Sequence, residues 1–564
     1  MRRPLIGFAT LAALLAVLTS SLRWSPAVPG VRAAAIGGSP TPASMPSATP
    51  MSTFTTRATD TPTATLTPTA TPTLTPTNAP SATATLTPTA TPTATSTPTA
   101  TPIVVPGGTA DYFAEGFTGL AATNGRATFT EVLNILNPSA SVANVTITYY
   151  VQGASAPTVV SRSVPRTTVL RESVNTDVGA DKSVAAVVTS PERIYVTRTI
   201  TRISPSGARL DSSTTLPVRS PSTSWGFPEG YTGVTFQEYL TVLNPGNAQA
   251  DVTVLLAPQA TTSAGARTLT LTVPALSRIT ENIRSLNLTS SAKSVGMLIT
   301  SSQPIVAERV IYFGDGSGSG KFGSTVATGI ASGSTTLHLA FGASGGQGPT
   351  GDQAFITLLN PATTGNPVQV TATFADATGK SIGSPATATV SPGTRQTIIA
   401  NNYVGSGKVP AFSVSLVATG PIEAESAQYF SGSPNIGEHP GVDFPAQAGA
   451  ATDVYFTDLS TTLPDNSQAL DRTVYLYNPG ATVIQVAATY FGGNGATMQT
   501  AYTVAPGGIQ PVNVVDDTQN GIPPGPLGAE FKLASGSTGS FIAYSVGLSS
   551  DSLSATEDVG NPSY

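Results

Sequence analysis

Few residues of this sequence are of types that do chemistry, and their spacing does not favour catalysis. The chain has no cysteine and two histidines, His338 and His439, which lie 101 residues apart. Neither histidine has a partner at zinc-ligand spacing, and the lack of cysteine excludes thiolate zinc sites and disulfide frameworks. A histidine-based nucleophilic triad is poorly supported as well, because both histidines fall in one of four sequence repeats.

Two glutamates, Glu115 and Glu229, recur at equivalent places, and a glycine follows each of them. A glycosidase needs two carboxylates about 5 to 10 Å apart in one cleft. Because these glutamates belong to different repeats, we expect each to fix a glycine turn beside a strand. A hydrolase that uses carboxylates on a β-sandwich remains an alternative, which two carboxylates in a single cleft would favour.

Charged residues also recur in a late strand of the repeats. Arg198 aligns with Arg309, and Glu308 aligns with Glu425. We expect these side chains to form outward ion pairs or a satisfied strand edge, since charges near an edge strand discourage pairing with other chains.

Other candidate binding residues are equally sparse. Residues 315–320 resemble a calcium loop but contain one carboxylate, whereas calcium takes six to eight oxygens, so a hairpin loop is predicted. For sugar binding, Trp225 opens a repeat, where an aromatic ring packs into the core, whereas Tyr149 and Tyr150 are adjacent on a strand and one should face outward. The sequence predicts no catalytic, cofactor-binding or metal-binding residue, and no cofactor.

A short motif sets the positions of all these residues. It occurs as Leu136-Asn137-Pro138, Leu243-Asn244-Pro245, Leu359-Asn360-Pro361 and Tyr477-Asn478-Pro479, with spacings of 107, 116 and 118 residues between the prolines. Proline lacks a backbone donor and restricts the residue before it, so that a strand ends at Asn-Pro. The spacing is the size of a small β-sandwich and predicts four repeats.

The sequence around each motif alternates as strands do. Apolar residues stand four and two positions before the asparagine, as Leu133 and Ile135 do, and polar or aromatic residues stand between them, which predicts a strand with one buried face. A valine seven residues after the proline begins a second strand, so we expect the motif to turn the chain between two paired strands. Six to eight strands per repeat without helical periodicity predict an immunoglobulin-like sandwich. A four-bladed propeller with one blade per repeat is the alternative.

These patterns support a resemblance. Residues 113–119 and 227–233 contain Glu-Gly-Phe/Tyr-Thr-Gly and precede strands that end in Leu-Asn-Pro. With Ala307-Glu308-Arg309 and Tyr312-Phe313, they resemble uncharacterised secreted bacterial repeat modules, which often follow Thr/Pro-rich tracts. The resemblance covers all four repeats, although repeats 3 and 4 lack the Glu-Gly-Phe/Tyr-Thr-Gly stretch. It implies immunoglobulin-like sandwiches on an extracellular protein and supplies no catalytic residue.

The N-terminal part of the chain predicts export. Arg2-Arg3, an apolar run and Ala33-Ala34-Ala35 indicate a signal peptide over residues 1–35, with an uncleaved signal anchor as the alternative. Residues 36–106 consist mostly of Thr, Pro, Ala and Ser, a composition that cannot form a core and favours extended polyproline II. We expect a disordered linker that acts as a spacer, with O-glycosylation left open and a plain linker as the alternative.

Composition completes the sequence-based prediction. Only 10% of the residues are charged, the net charge is −5, and no basic cluster suggests nucleic acid. The predicted β-sandwich repeats span 107–221, 222–334, 335–448 and 449–564. We expect a non-enzymatic, secreted or surface-attached structural or adhesive protein; carbohydrate binding in the cell envelope or extracellular matrix is the alternative. The partners would be cell-envelope polysaccharide or other surface proteins, and membrane contact would involve only an uncleaved N-terminal segment.

Overall fold

A computed structural model describes residues 108–119, 128–203, 209–259, 266–286, 293–314, 319–346, 351–431, 437–462, 470–549 and 555–562. They all belong to one compact unit that spans Thr93–Tyr564. The predicted signal segment and Thr/Pro-rich linker lie outside the described residues, as do most of the predicted 315–320 loop and the side chain of His439. Within the described ranges, no helix is long and apolar enough to cross a membrane.

The described chain is all-β, with a few single-turn helices. Repeat 1 contains β1 (Thr109–Phe113), β2 (Thr128–Asn137), β3 (Ala143–Val151), β4 (Thr158–Val164), β5 (Thr168–Ser173), α1 (Val174–Val178), β6 (Val184–Ser190), β7 (Tyr195–Ile203) and β8 (Arg209–Thr215). Repeat 2 contains β9 (Ser222–Phe227), β10 (Phe236–Asn244), β11 (Ala250–Pro258), β12 (Arg267–Val273), β13 (Ser277–Asn282), a 3-10 turn (Ile283–Leu286), β14 (Val295–Phe313) and β15 (Ser319–Thr328).

The second half of the chain repeats this order. Repeat 3 contains β16 (Ser334–Gly342), β17 (Gln353–Leu359), β18 (Val368–Asp376), β19 (Ala386–Val390), β20 (Arg395–Ile399), α2 (Asn401–Val404), β21 (Phe412–Tyr429) and β22 (Gly437–Pro445). Repeat 4 contains β23 (Asp453–Phe456), β24 (Leu470–Tyr477), β25 (Ile484–Gly492), β26 (Thr497–Val504), β27 (Ile509–Asn513), α3 (Val514–Thr518), β28 (Leu527–Leu533), β29 (Ile542–Ser549), β30 (Ala555–Val559) and β31 (Asn561–Pro562).

Two sheets recur in every repeat. In repeat 1 the strand that ends in Asn-Pro, β2, belongs to a sheet with the order β5-β2-β7-β8, which we call the Asn-Pro sheet. The valine-led strand β3 belongs to a second sheet with the order β1-β6-β3-β4, which we call the valine sheet. Side chains from both sheets, among them Ile135 and Val145, form one core. The same pairings recur in the other three repeats.

This arrangement corrects the predicted role of the Asn-Pro motif. The strands before and after it do not pair with each other, because they lie in different sheets. Asn137 instead holds the crossover: its Nδ2 donates to the carbonyl of Val164 at 3.0 Å, and its Oδ1 accepts from the amide of Ser139 at 3.1 Å. The same bond to a valine carbonyl forms at Asn244 (3.1 Å), Asn360 (3.0 Å) and Asn478 (3.2 Å).

In repeats 2 and 3 one long strand takes part in both sheets. In repeat 2 this strand is β14, which has 19 residues and an irregular register between Thr300 and Ile305. Its first half pairs with β9 and β11 in the valine sheet, and its second half pairs with β10 and β15 in the Asn-Pro sheet. β21 does the same in repeat 3, so each long strand joins the two sheets of its repeat.

The four repeats close into a ring. The outer face of each valine sheet packs on the outer face of the next Asn-Pro sheet: Tyr112 and Tyr150 of repeat 1 share a cluster with Leu243 of repeat 2. The same contact joins repeat 4 to repeat 1, where Tyr455 packs on Tyr195. At the centre β8 lies against β15, β15 pairs in parallel with β22, β22 lies against β30, and β30 lies against β8. The sheets are thus arranged as in a propeller, although every repeat contributes two of them.

Ring closure buries residues that the sequence places on an exposed face. Leu133 and Ile135 are buried as predicted, but Asn134 between them is only 1% exposed. The equivalent Thr241 and Thr357 are at 0%. The Asn-Pro sheets of repeats 1, 2 and 3 therefore have two buried faces, one toward their own core and one toward the preceding repeat.

Candidate functional site

The contact surface between repeats 1 and 2, which we call interface 1/2, contains a buried charge cluster. Arg198 of repeat 1 and Glu308 of repeat 2 form an ion pair at 2.8 Å, and both side chains are 0% exposed. The same carboxylate, through Oε2, accepts from the amide of Ala114 at 2.9 Å. Arg278 of repeat 2 reaches back to Glu115 at 3.3 Å. The charges expected to form outward pairs thus join two repeats in the interior.

Glu115 does not fix the glycine turn, contrary to the prediction, because its carboxylate pairs with the next repeat. A different acid, Glu131, lies against Gly116: a Cβ on this glycine would meet Glu131 Oε1 at 2.7 Å. Burial raises the pKa of Glu131 to about 8 against the pull of Arg198. This glutamate is therefore protonated when buried at neutral pH. Sequence reasoning missed it, although Glu131 and Glu238 each stand six positions before the asparagine of the Asn-Pro motif.

Interface 2/3 repeats the arrangement one step along the chain. Arg309 of repeat 2 pairs with Glu425 of repeat 3 at 2.8 Å and also contacts Asp443. Arg395 of repeat 3 pairs with Glu229 of repeat 2 at 3.0 Å. Burial raises the pKa of Glu238, the counterpart of Glu131, to about 8.

The other two interfaces use less charge. At interface 3/4, Phe444 and Tyr544 stack at 4.8 Å, and the apolar cluster of repeat 3 continues into repeat 4. At interface 4/1, Arg171 pairs with Asp458 at 3.0 Å. Burial opposes ionisation of Asp458, but Arg171 and Arg472 lower its pKa to about 2.

A cleft of about 330 Å³ opens at interface 2/3, and residues of both repeats line it. Four aromatic rings form its walls: Tyr231, Phe236, Phe355 and Tyr429. The Nζ atom of Lys321 lies 3.5 Å from the ring centre of Tyr429 and 4.2 Å from that of Phe355. Burial lowers the pKa of Lys321 to about 8, and Glu229 opposes the shift.

The acids near this cleft bear on the hydrolase alternative. Glu229 and Asp443 both line a small recess beside the cleft, with a volume of about 10 Å³. That volume is room for about one water molecule, and of the two acids only Glu229 also lines the larger cleft. Each carboxylate is also engaged by an arginine, Arg395 or Arg309. The geometry favours a structural or binding role for these acids.

The remaining sequence candidates lie in structural positions. His338 is partly buried with Nδ1 3.0 Å from Ser415 Oγ, and burial lowers its pKa. Trp225 is 4% exposed and donates from Nε1 to the carbonyl of Ile305 at 3.1 Å. Neither Tyr149 nor Tyr150 faces outward, because Tyr150 packs at interface 1/2. Among the described residues, no group of acids and histidines could hold a metal ion.

The cleft itself was missed by sequence reasoning. Its residues come from both repeats, and each is an unremarkable member of a strand or its flank. The only sequence signal is the aromatic content near the strand ends, such as Phe236, Tyr429 and Phe355.

No protein-family model matches this chain, and no curated protein matches it either. Among solved structures, the chain is similar to a crystal structure of Thermotoga maritima 1070, at 14% identity over 20% of this chain and 94% of that chain. The TM-score is 0.18, and a similarity at that level carries no conclusion about fold or function.

Proposed function

We propose that this chain is a non-enzymatic, exported structural or adhesive protein. In this proposal, four immunoglobulin-like β-sandwiches form a single display module at the end of the Thr/Pro-rich linker. The observation that carries it is ring closure through Tyr195 and Tyr455, which makes the repeats one body instead of a flexible string. A rigid body with buried internal contacts presents a fixed outer surface to a partner.

The proposed linker explains how such a module would be held away from an envelope. Residues 36–106 in extended polyproline II would span roughly 200 Å at about 3.1 Å per residue. A flexible Gly/Ser chain of equal length would have an end-to-end distance of only about 50 Å, since that distance grows with the square root of length.

The test compares three full-length chains in the native host: the natural sequence, one lacking residues 36–106, and one with that stretch replaced by Gly/Ser of equal length. Antibody against the ring is applied to intact cells, alongside fractionation and N-terminal sequencing. We expect antibody binding to decrease from the natural chain to the Gly/Ser chain to the deletion. Retention of the natural chain inside the cells, or equal binding by all three, would contradict the proposal.

Adhesion is measured separately, by attachment of cells with and without the chain to surfaces coated with envelope polysaccharide. The carbohydrate-binding alternative was based on an outward tyrosine, and this support is gone because Tyr149 and Tyr150 are both buried. The aromatic walls of the cleft at interface 2/3 are the observation that still favours a ligand.

A further inference from the structure

The cleft at interface 2/3 contains a lysine, Lys321, and a carboxylate, Glu229, that is already paired with Arg395. The Lys321 ammonium group lies over two aromatic rings, and it has no ion pair within the described residues. Glu229, the acid that acts on it electrostatically, is held by Arg395 at 3.0 Å. A cation in this position attracts an anion, because partial burial weakens the screening by water.

At interface 1/2 the corresponding cation has a carboxylate partner from the chain itself. Tyr312 of repeat 2 corresponds to Tyr429 of repeat 3. Each tyrosine pairs in register with a glutamine, and that glutamine stands three residues before the same core position of its strand. The cation over Tyr312 is Arg202, at 5.5 Å from the ring centre. Arg202 has its own carboxylate, because Nε donates to Asp211 at 2.8 Å. Gly323 takes the place of Asp211 in repeat 2, so among the described residues this register position supplies no carboxylate there.

The walls of the cleft define the rest of the ligand. Tyr231 and Phe236 meet edge to face at 4.7 Å, and Phe355 and Tyr429 do so at 5.9 Å. Such rings bury flat apolar surfaces, and a volume of about 330 Å³ lies at the small end of ligand pockets. A ligand cation is disfavoured, because Lys321 already occupies the ring faces and would repel it.

We propose that this cleft binds a small organic carboxylate whose ring has an apolar face, with the carboxylate on Lys321 and the ring between the aromatic walls. A hexuronic acid and an aromatic carboxylate both have this chemistry. The site is independent of export and display, so that failure of one proposal leaves the other standing.

The test is calorimetry on the full chain with four probes: galacturonate, benzoate, glucose and tetramethylammonium. We expect at least one carboxylate to bind, and glucose and tetramethylammonium to bind at least tenfold more weakly. The comparison of galacturonate with benzoate then identifies the ring. Equal binding of glucose, tighter binding of tetramethylammonium, or no binding of either carboxylate at about 10 mM would overturn the proposal.

Variants locate the site. Lys321→Met removes the charge and keeps the apolar stem, and we expect it to weaken carboxylate binding at least tenfold. The control is Lys532→Met, which removes a lysine whose side chain is 58% exposed and should leave binding unchanged. Near-UV circular dichroism checks folding, and Lys321→Gln replaces Lys321→Met should that variant fail to fold. Unchanged affinity in a folded Lys321 variant would overturn the assignment.

Discussion

Interfaces 2/3 and 3/4 are formed by equivalent strands, but one contains buried ion pairs and the other contains aromatic stacking. Arg309 on β14 pairs with Glu425 on β21. Its equivalent in repeat 3 is Ser426, which pairs in register with Phe444, and Phe444 stacks on Tyr544 of repeat 4. Both interfaces bring a valine sheet against an Asn-Pro sheet. Sheet packing therefore sets the ring geometry at both interfaces, and the buried Arg–Glu pairs are an addition at interfaces 1/2 and 2/3.

The charged interfaces have a cost that the neutral interface avoids. Interface 1/2 buries Glu115, Glu131 and Glu308 against Arg198 and Arg278, so acids outnumber bases. Burying a charge without full compensation is unfavourable, and the balance is restored when a carboxyl group takes up a proton. In repeat 3 an alanine, Ala354, stands at the position of Glu131, so this position supplies no titrating carboxyl group there.

The largest expected effect is therefore a dependence of stability on pH. Glu131 and Glu238 have a folded pKa of about 8 against an ordinary 4.5. The folded state holds protons that the unfolded chain releases between these values, so the free energy of unfolding falls as pH rises from about 4.5 to 8. Each group contributes at most about 5 kcal/mol. Urea unfolding at several pH values between 5 and 9 measures this loss.

Variants separate the contribution of Glu131 and Glu238 to the pH dependence from that of the other titrating groups. The double variant Glu131→Gln/Glu238→Gln should have a shallower pH dependence, and Asp471→Asn, at an exposed position, should leave it unchanged. Part of the slope should remain, because burial also raises the pKa of Glu423 to about 8 and that of Asp111 to about 7. An identical slope in wild type and the double variant would show that neither glutamate titrates as described.

The second prediction compares equivalent positions directly. Arg309→Met leaves Glu425 and Asp443 buried without their cation and should lower the free energy of unfolding by about 3–5 kcal/mol. Ser426→Ala, at the equivalent position of repeat 3, should cost about 1 kcal/mol. Chemical denaturation of both variants at pH 7 gives the difference. An equal loss in the free energy of unfolding for both variants would mean that the stability depends no more on the buried ion pair than on the neutral contact.

The smallest effect tests closure of the ring. Tyr195 and Tyr455 stack at 3.7 Å across interface 4/1, and a double-mutant cycle to leucine should give a coupling free energy of about 0.5–1.5 kcal/mol. Phe444 and Tyr544 provide the matched cycle at interface 3/4. Coupling at the second pair but not at the first would indicate that repeats 1 and 4 are apart in solution.

Much of the local structure follows from the sequence, but the contacts between repeats do not. The alternation around Leu133 and Ile135 predicts a strand and its core face, and both are found. The aligned charges Arg198 and Glu308 are visible in the sequence, yet their pairing joins residues 110 positions apart. These charges were expected to face outward because the alternation of apolar residues within one repeat predicts only one buried face for each strand.

The strands, the absence of long helices among the described residues and the strand ends at the four Asn-Pro motifs follow from the sequence alone. They result from period-two alternation and from proline, both of which act within one repeat. The tertiary structure was needed to show which sheets each asparagine connects, which outer faces meet, which acids lose their water, and where Lys321 lies between repeats 2 and 3. These depend on the angle at which one sheet packs on the next, which no single repeat specifies.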